Sequence, residues 1–466
     1  MERRNFLKNG AQAAIIGVAG VTLGFEGTEA SAAPVTNSGP VIKSNTETPE
    51  ILKSYTIADH RKRLESIAFG EKRIAECVRK HLVTSYIPGH AVFALRGSNG
   101  EPNEKDDQAL AELRKIGIGI IQPWSEWATC WGKNYLIAKN PDGFKRLVKL
   151  AQGHGLKVIP YTSSQFFERT DENFKKEWAW PQSFDLVEFD FHLAKCSPAS
   201  PAWRAYTLHR HLHVMDEYGV DGLYNDLGYN RPGEQEDFYR PANKRKFAED
   251  DVLAFKEGPK QDGAMSDFLA LLYAEVKRRG GIYKLHKEGV DTVYTDLKIY
   301  DYLWVGEAGD DLNFVRESTK NFTPYVSPQR LVNTSDENES FLNSLPYMHF
   351  PIIGHGQPGE QGDKYLEAYK YWFKLYRPMV EEGTWVWIDI NSSDLFQSAL
   401  PKNTVASLFV NREVYLVIAN YNKKAIEVVT TDSYMSDLQP NSKTQNNWSI
   451  EGRSMQILKL ITTLTE

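Results

Sequence analysis

Cysteine is scarce: Cys77, Cys130 and Cys196 are the only three in a chain of 466 residues. Their wide spacing fits no metal-ligand motif, and an odd number excludes a fully paired disulfide framework. Buried thiols are expected, with neither a metal nor another cofactor. Long apolar runs are missing as well. The longest, residues 11–24, is only weakly apolar and falls short of the roughly 20 residues needed to span a membrane. Neither sign of charge dominates. Lys plus Arg number 55 against 61 Asp plus Glu, a net of −6. That leaves no basic footprint for nucleic acid and argues against an anionic membrane surface. A Gly-rich phosphate turn is also lacking. The first strand candidate, residues 90–95, runs into Arg96-Gly97-Ser98-Asn99-Gly100, without the spacing that cradles a dinucleotide.

What is plentiful is aromatic: 12% of the chain, including 11 Trp and 23 Tyr. Such rings stack on the apolar faces of sugars, but they also fill large cores, and composition alone favours the core. At the N-terminus, Arg3-Arg4 is followed by Phe6-Leu7-Lys8, the apolar run and a small-residue stretch, Ala30-Ser31-Ala32. This pattern reads as a twin-arginine signal peptide over residues 1–33, of the kind that exports folded proteins. Residues 34–54 are rich in Pro, Ser, Thr and Asn and read as a linker. A periplasmic or secreted protein without a membrane span is expected.

From about residue 85 short apolar runs alternate with amphipathic charged segments. Strands are expected at 90–95, 118–123, 156–161, 220–225 and 281–285, with helices at 106–116, 141–154, 203–218 and 265–279 between them. Residues 300–306 and 347–354 are later strand candidates. Helix, Gly, then buried strand is the signature of parallel βα units. Their number within about 300 residues predicts a closed (β/α)8 TIM barrel over residues 55–390 rather than an open sheet. Beyond 390 the pattern turns to short β-rich runs, at 403–407, 414–421, 426–429 and 455–461, predicting a small C-terminal antiparallel β-sandwich over 391–466.

In a barrel of this kind, chemistry sits at the C-terminal ends of the strands. The strand Val220-Asp221-Gly222-Leu223-Tyr224-Asn225-Asp226 ends on a carboxylate. With its approach, Cys196 to Tyr206, it resembles the fourth-strand region of retaining barrel glycosidases of the α-galactosidase and α-glucosidase clan. The resemblance implies that Asp226 is the nucleophile; Asp221, early in the strand, reads as structural. A second carboxylate is needed to protonate the leaving oxygen. Glu307, in a small-residue turn after residues 300–304, is the first candidate, and Asp310 and Asp311 are alternatives, since the resembled clan usually uses Asp there. Trp124, Glu126 and Trp127 end the second strand, Tyr161 and Gln165 the third, and Tyr224 and Asn225 flank Asp226. With Asp310 and His349 they make up the expected substrate-binding set. Trp178 and Trp180 lie in a long loop able to overhang the cleft.

Two carboxylates at strand ends predict hydrolysis of O-glycosidic bonds in a poly- or oligosaccharide, and the resemblance to the retaining clan implies retention. The alternative is a glycan-binding protein on a barrel scaffold without catalysis. An exported oxidoreductase finds no support in a dinucleotide turn or a Cys cluster. His209, His211 and His213 tempt as a metal cluster, but their helix turns His211 away from the other two. Which sugar is cut, and whether the chain self-associates, the sequence leaves open.

Overall fold

The computed structural model describes residues 56–124, 126–179, 186–188, 191–226, 261–286, 299–304, 337–352, 363–439 and 442–461. Helix α1 (Ile57–Arg73) and strand β1 (Arg79–Leu82) precede the α/β part. There follow β2 (His90–Phe93), α2 (Glu104–Lys115), β3 (Ile120–Pro123), α3 (Pro141–Gly153), and β4 (Lys157–Val158) with β5 (Tyr161–Ser163). A small antiparallel excursion comes next, β6 (Phe166–Glu168), β7 (Leu186–Glu188) and β8 (Phe191–Lys195). The chain then returns through α4 (Pro201–Tyr218), β9 (Gly222–Asp226), α5 (Gln261–Arg278), β10 (Ile282–His286) and β11 (Tyr302–Trp304).

The helices start and stop where side chains dictate. In α3, Asn140 accepts from the Gly143 N–H at 2.9 Å and Pro141 supplies a preset φ for the first turn. Phe144, Leu147, Val148 and Ala151 recur at helical spacing and are buried. Gly155 at φ +75° then allows the reversal into β4. In α2, Asn103 and Asp106 form a reciprocal capping box. Asp106 also accepts the Arg96 and Gly97 N–H groups at 2.7 and 3.0 Å, which ties the loop after β2 to the helix.

The parallel strands pair in chain order. β2 pairs with β3 and β3 with β4; β5 pairs with β9, β9 with β10 and β10 with β11. β4 and β5 are halves of one strand, interrupted at Ile159-Pro160, where the Pro160 carbonyl still accepts the Tyr224 N–H at 3.0 Å. The two parallel runs, β2-β3-β4 and β5-β9-β10-β11, bring side chains of their outer strands together. The His90 and Tyr302 rings lie 4.7 Å apart, and the Tyr302 hydroxyl accepts the Ile87 N–H at 2.9 Å. Because side chains alternate along a strand, register stacks the inner face in layers. Tyr161, Tyr224, Lys284 and Tyr302 are successive partners in one layer. Ser163 and Asp226 are partners in the next layer up, to which His286, two residues after Lys284, also belongs.

Asp221 anchors the lower end of β9. Its carboxylate accepts the Val158 N–H at 3.0 Å, Gln152 Nε2 at 3.0 Å and Lys157 Nζ at 2.9 Å. Asp221→Ala strands the Val158 N–H, and an unmet buried donor costs about 1–3 kcal/mol. Chemical denaturation should therefore show an unfolding free energy lower by that amount, seen as a lower midpoint at unchanged slope; an unaltered midpoint would remove Asp221 from the framework.

The C-terminal part departs from expectation in two respects. It is one seven-stranded antiparallel sheet among the described residues, ordered β1, β12 (Trp385–Ile388), β13 (Thr404–Val410), β14 (Val414–Asn420), β17 (Ser454–Leu460), β15 (Ile426–Ser436) and β16 (Gln445–Ile450). Two of its strands come from before residue 391, and β1 precedes the α/β part altogether. β15 is long enough to pair with both β16 and β17, with a register shift between Val429 and Tyr434. The strand expected at 347–354 is not regular over 347–352. Leu345–Tyr347 is a 3-10 turn, Met348 has φ +61°, and Pro351 lacks a ladder donor. All three cysteines are free thiols, with Cys130 and Cys196 buried. No helix among the described residues is long and apolar enough to cross a membrane.

Candidate active site

Asp226 closes β9 on the inner face, with 4% of its surface exposed. The Tyr161 hydroxyl donates to Asp226 Oδ2 at 2.6 Å. Asp226 Oδ1 is held by His286 Nδ1, which puts the proton on that nitrogen because a carboxylate only accepts. The Tyr224 hydroxyl lies 3.0 Å from the same nitrogen. One aromatic layer thus supports the carboxylate from below, and a histidine fixes it from the next strand.

Lys284 is fully buried under this group, with Nζ 3.2 Å from His90 Nδ1 and 5.6 Å from the Tyr224 ring centre. His90 Nε2 faces the Ile87 carbonyl at 2.8 Å. Burial drives the Lys284 ammonium well below its usual range. Burial, and then the Lys284 charge, does the same to His90. With His90 Nε2 turned to the Ile87 carbonyl, its Nδ1 is left to accept a hydrogen from Lys284 Nζ. Strand β10 reads Ile-Tyr-Lys-Leu-His, and the two polar residues two apart in an apolar run were the available sign that this face carries function.

The substrate-binding candidates are dispersed. Trp124 is half-buried, its ring 5.0 Å from Tyr161 and stacked 6.4 Å from Tyr224. Trp127 is core, with Nε1 donating to the Tyr161 carbonyl at 2.9 Å and its ring stacked on Phe144 at 4.5 Å. Glu126 is exposed. All three line a cavity of about 420 Å³, walled also by Phe93, Leu95 and Asn140, that Asp226 does not line. Tyr224 and Asn225 are fully enclosed. Asn225 turns outward, donating to Ser164 Oγ at 2.9 Å and to the Tyr283 hydroxyl at 2.8 Å. Gln165 is buried in the turn between β5 and β6, where its carbonyl accepts the Cys196 N–H at 2.6 Å.

His349 lies away from this group, buried beside Arg79 of β1. Trp178 packs against Phe167, Trp203 and Tyr206 in the core instead of overhanging a cleft. His211 is buried within α4, its Nδ1 facing the Thr207 carbonyl at 2.7 Å. Among the described residues no set of three His, Cys, Asp or Glu is placed to hold a metal. Glu307, Asp310, Asp311 and Trp180 lie outside the described residues.

A curled parallel α/β sheet with a strand-end carboxylate and an antiparallel C-terminal sheet defines a class of scaffold, the TIM barrel with a C-terminal β-domain. Solved structures of that scaffold are similar to this chain. A maltogenic α-amylase from Thermotoga neapolitana superposes with a TM-score of 0.53 at 12% identity, over 80% of this chain and 99% of its own. An α-glucosyl transfer enzyme gives 0.57 at 11% identity, over 80% and 99%. An α-galactosidase from Geobacillus stearothermophilus, in complex with raffinose, gives 0.56 at 12% identity over 80% of this chain and 55% of its own, so this chain spans about half of that enzyme. At such identities the likeness establishes the fold. No family model and no curated protein sequence matches the chain.

Proposed function

We propose that the protein is an exported glycoside hydrolase that cleaves O-glycosidic bonds of a poly- or oligosaccharide with retention, using Asp226 as nucleophile. The observation that carries the reading is the placement of Asp226: an inward carboxylate at the C-terminal end of β9, held at both oxygens by Tyr161 and His286. Fixing the carboxylate in advance lowers the cost of aligning it with an anomeric carbon. Glu307 is the proposed acid/base, with Asp310 and Asp311 next to it in sequence as the other candidates. The half-buried Trp124 offers a ring face for a sugar.

The test is a panel of polysaccharides and aryl glycosides with proton NMR of the first-released anomer. Release of sugar with the starting anomeric configuration supports the reading. Inversion would replace the nucleophile by a general base, and binding without turnover across the panel would favour a glycan-binding protein. Tyr161→Phe removes one donor to a charged acceptor, worth about 1.5–3 kcal/mol. On any glycoside that is turned over, kcat should fall about 10- to 150-fold with KM little changed. A fall confined to KM would mean that Tyr161 binds substrate instead of setting the carboxylate.

A further inference from the structure

Arg79 opens β1 at the edge of the C-terminal sheet, yet its side chain is buried, with the residue only 9% exposed. Its Nη2 reaches the Tyr347 carbonyl at 3.5 Å, while Nε and Nη1 have no hydrogen-bond partner. The charged or ionisable groups that act on it are the phenols of Tyr300, Tyr376 and Tyr86. No carboxylate of the described residues is among them. His349, two residues on from the Tyr347 carbonyl that Arg79 reaches and within range of the Arg79 charge, is 1% exposed, with neither ring nitrogen partnered. Burial, followed by the Arg79 charge, keeps that imidazole far below its usual range.

Native interiors seldom tolerate this. A buried guanidinium normally sits against a carboxylate, because an unpaired charge out of water costs several kcal/mol. Burial pulls Arg79 down to about 10, so it remains a cation at neutral pH. Water molecules can satisfy the orphaned N–H groups but cannot balance the charge. Two phenols stand ready beside it: the Tyr86 and Tyr376 hydroxyls are 3.4 Å apart, and either can turn its hydrogen outward.

We propose that Arg79 and His349, with the Tyr86 and Tyr376 hydroxyls, bind one small monovalent anion, of halide or nitrate size, between the α/β part and the C-terminal sheet. Guanidinium Nε and Nη1 provide two donors, and the imidazole provides a third through whichever nitrogen carries its proton. With Arg79 9% and His349 1% exposed, the bulky remainder of a sugar carboxylate or a phosphate ester has no way in. Binding would lock β1 against residues 345–349, where Ser407 of β13 already donates to the Pro346 carbonyl. The site is separate from Asp226 and stands whether or not the protein cleaves glycosides.

The test is thermal unfolding of the full-length protein in sodium gluconate, with chloride, bromide or nitrate substituted at constant ionic strength. A saturable rise in Tm of several degrees is expected with the small anions and not with gluconate, following mass-action linkage. Arg79→Met should abolish the rise, and His349→Phe should weaken the apparent affinity about tenfold. Should Arg79→Met fail to fold, crystals soaked in bromide decide through the anomalous signal. A peak within hydrogen-bonding distance of Arg79 supports the site. An identical Tm in gluconate and bromide, a full rise retained in Arg79→Met, or only water at that position would overturn it.

Discussion

Asp226→Asn is expected to reduce kcat by a factor on the order of 10⁴ to 10⁶, the scale seen when a nucleophile is removed. Asn is close to isosteric, and its amide oxygen can still accept from the Tyr161 hydroxyl. Its NH₂ group cannot accept from His286, so the imidazole must rotate or change tautomer. A modest stability loss should accompany the change, while the circular dichroism spectrum stays native. Residual activity above about one-tenth of the parent, measured on the best glycoside of the panel with the fold verified, would dismiss Asp226 as nucleophile. An external anionic nucleophile such as azide offers a second readout. Removing a carboxylate nucleophile while keeping the acid lets azide attack from the vacated side, and a glycosyl azide of inverted configuration should appear. Azide in place of a general base would invert as well, so the anomer released by the parent enzyme separates nucleophile from base. Absence of any glycosyl azide in a folded variant would count against a carboxylate acting from this face.

Gly222→Ala should do the greatest damage to the fold. A Cβ at this position would lie 1.9 Å from the Ile282 carbonyl oxygen and 2.6 Å from its nitrogen. These are backbone atoms of the neighbouring strand, in the pair that sets the register Ile282↔Gly222. No rotamer relieves such a contact, so β9 and β10 must separate where the layers of the inner face begin. Overpacking of this kind costs about 1–3 kcal/mol or more, and Asp226 and His286 would move with their strands. Reduced soluble yield, a Tm lower by several degrees and lost activity are expected together. A variant of parental Tm would show that the two strands pass less closely than they do here.

Much of the α/β part was legible because its signals are local. The buried stripe Phe144, Leu147, Val148, Ala151 and the Asn140 cap declare α3 within a dozen residues. The alternation in β9 likewise separates Asp226 from Asn225, one turned inward and the other outward. Residues 347–352 misled because an apolar run resembles a buried strand until Met348 takes a left-handed φ. That two strands from before residue 391 join the C-terminal sheet was hidden for another reason: β1 and β12 are short, and they become strands by pairing with each other and with β13. Trp127 and Trp178 look alike in sequence to any sugar-stacking tryptophan, and only packing reveals them as core.

By itself the sequence determined the βα rhythm, the change to β-rich structure near the C-terminus and a carboxylate at the end of one strand. These follow from side-chain periodicity and capping, which act over a few residues. Tertiary structure alone decided what surrounds that carboxylate. Tyr161 and His286 reach Asp226 from 65 and 60 residues away, and Arg79 meets His349 across a still longer interval. Such meetings depend on strand register and on how the strands are brought together. Those are properties of the assembled sheets, to which no single segment holds the key.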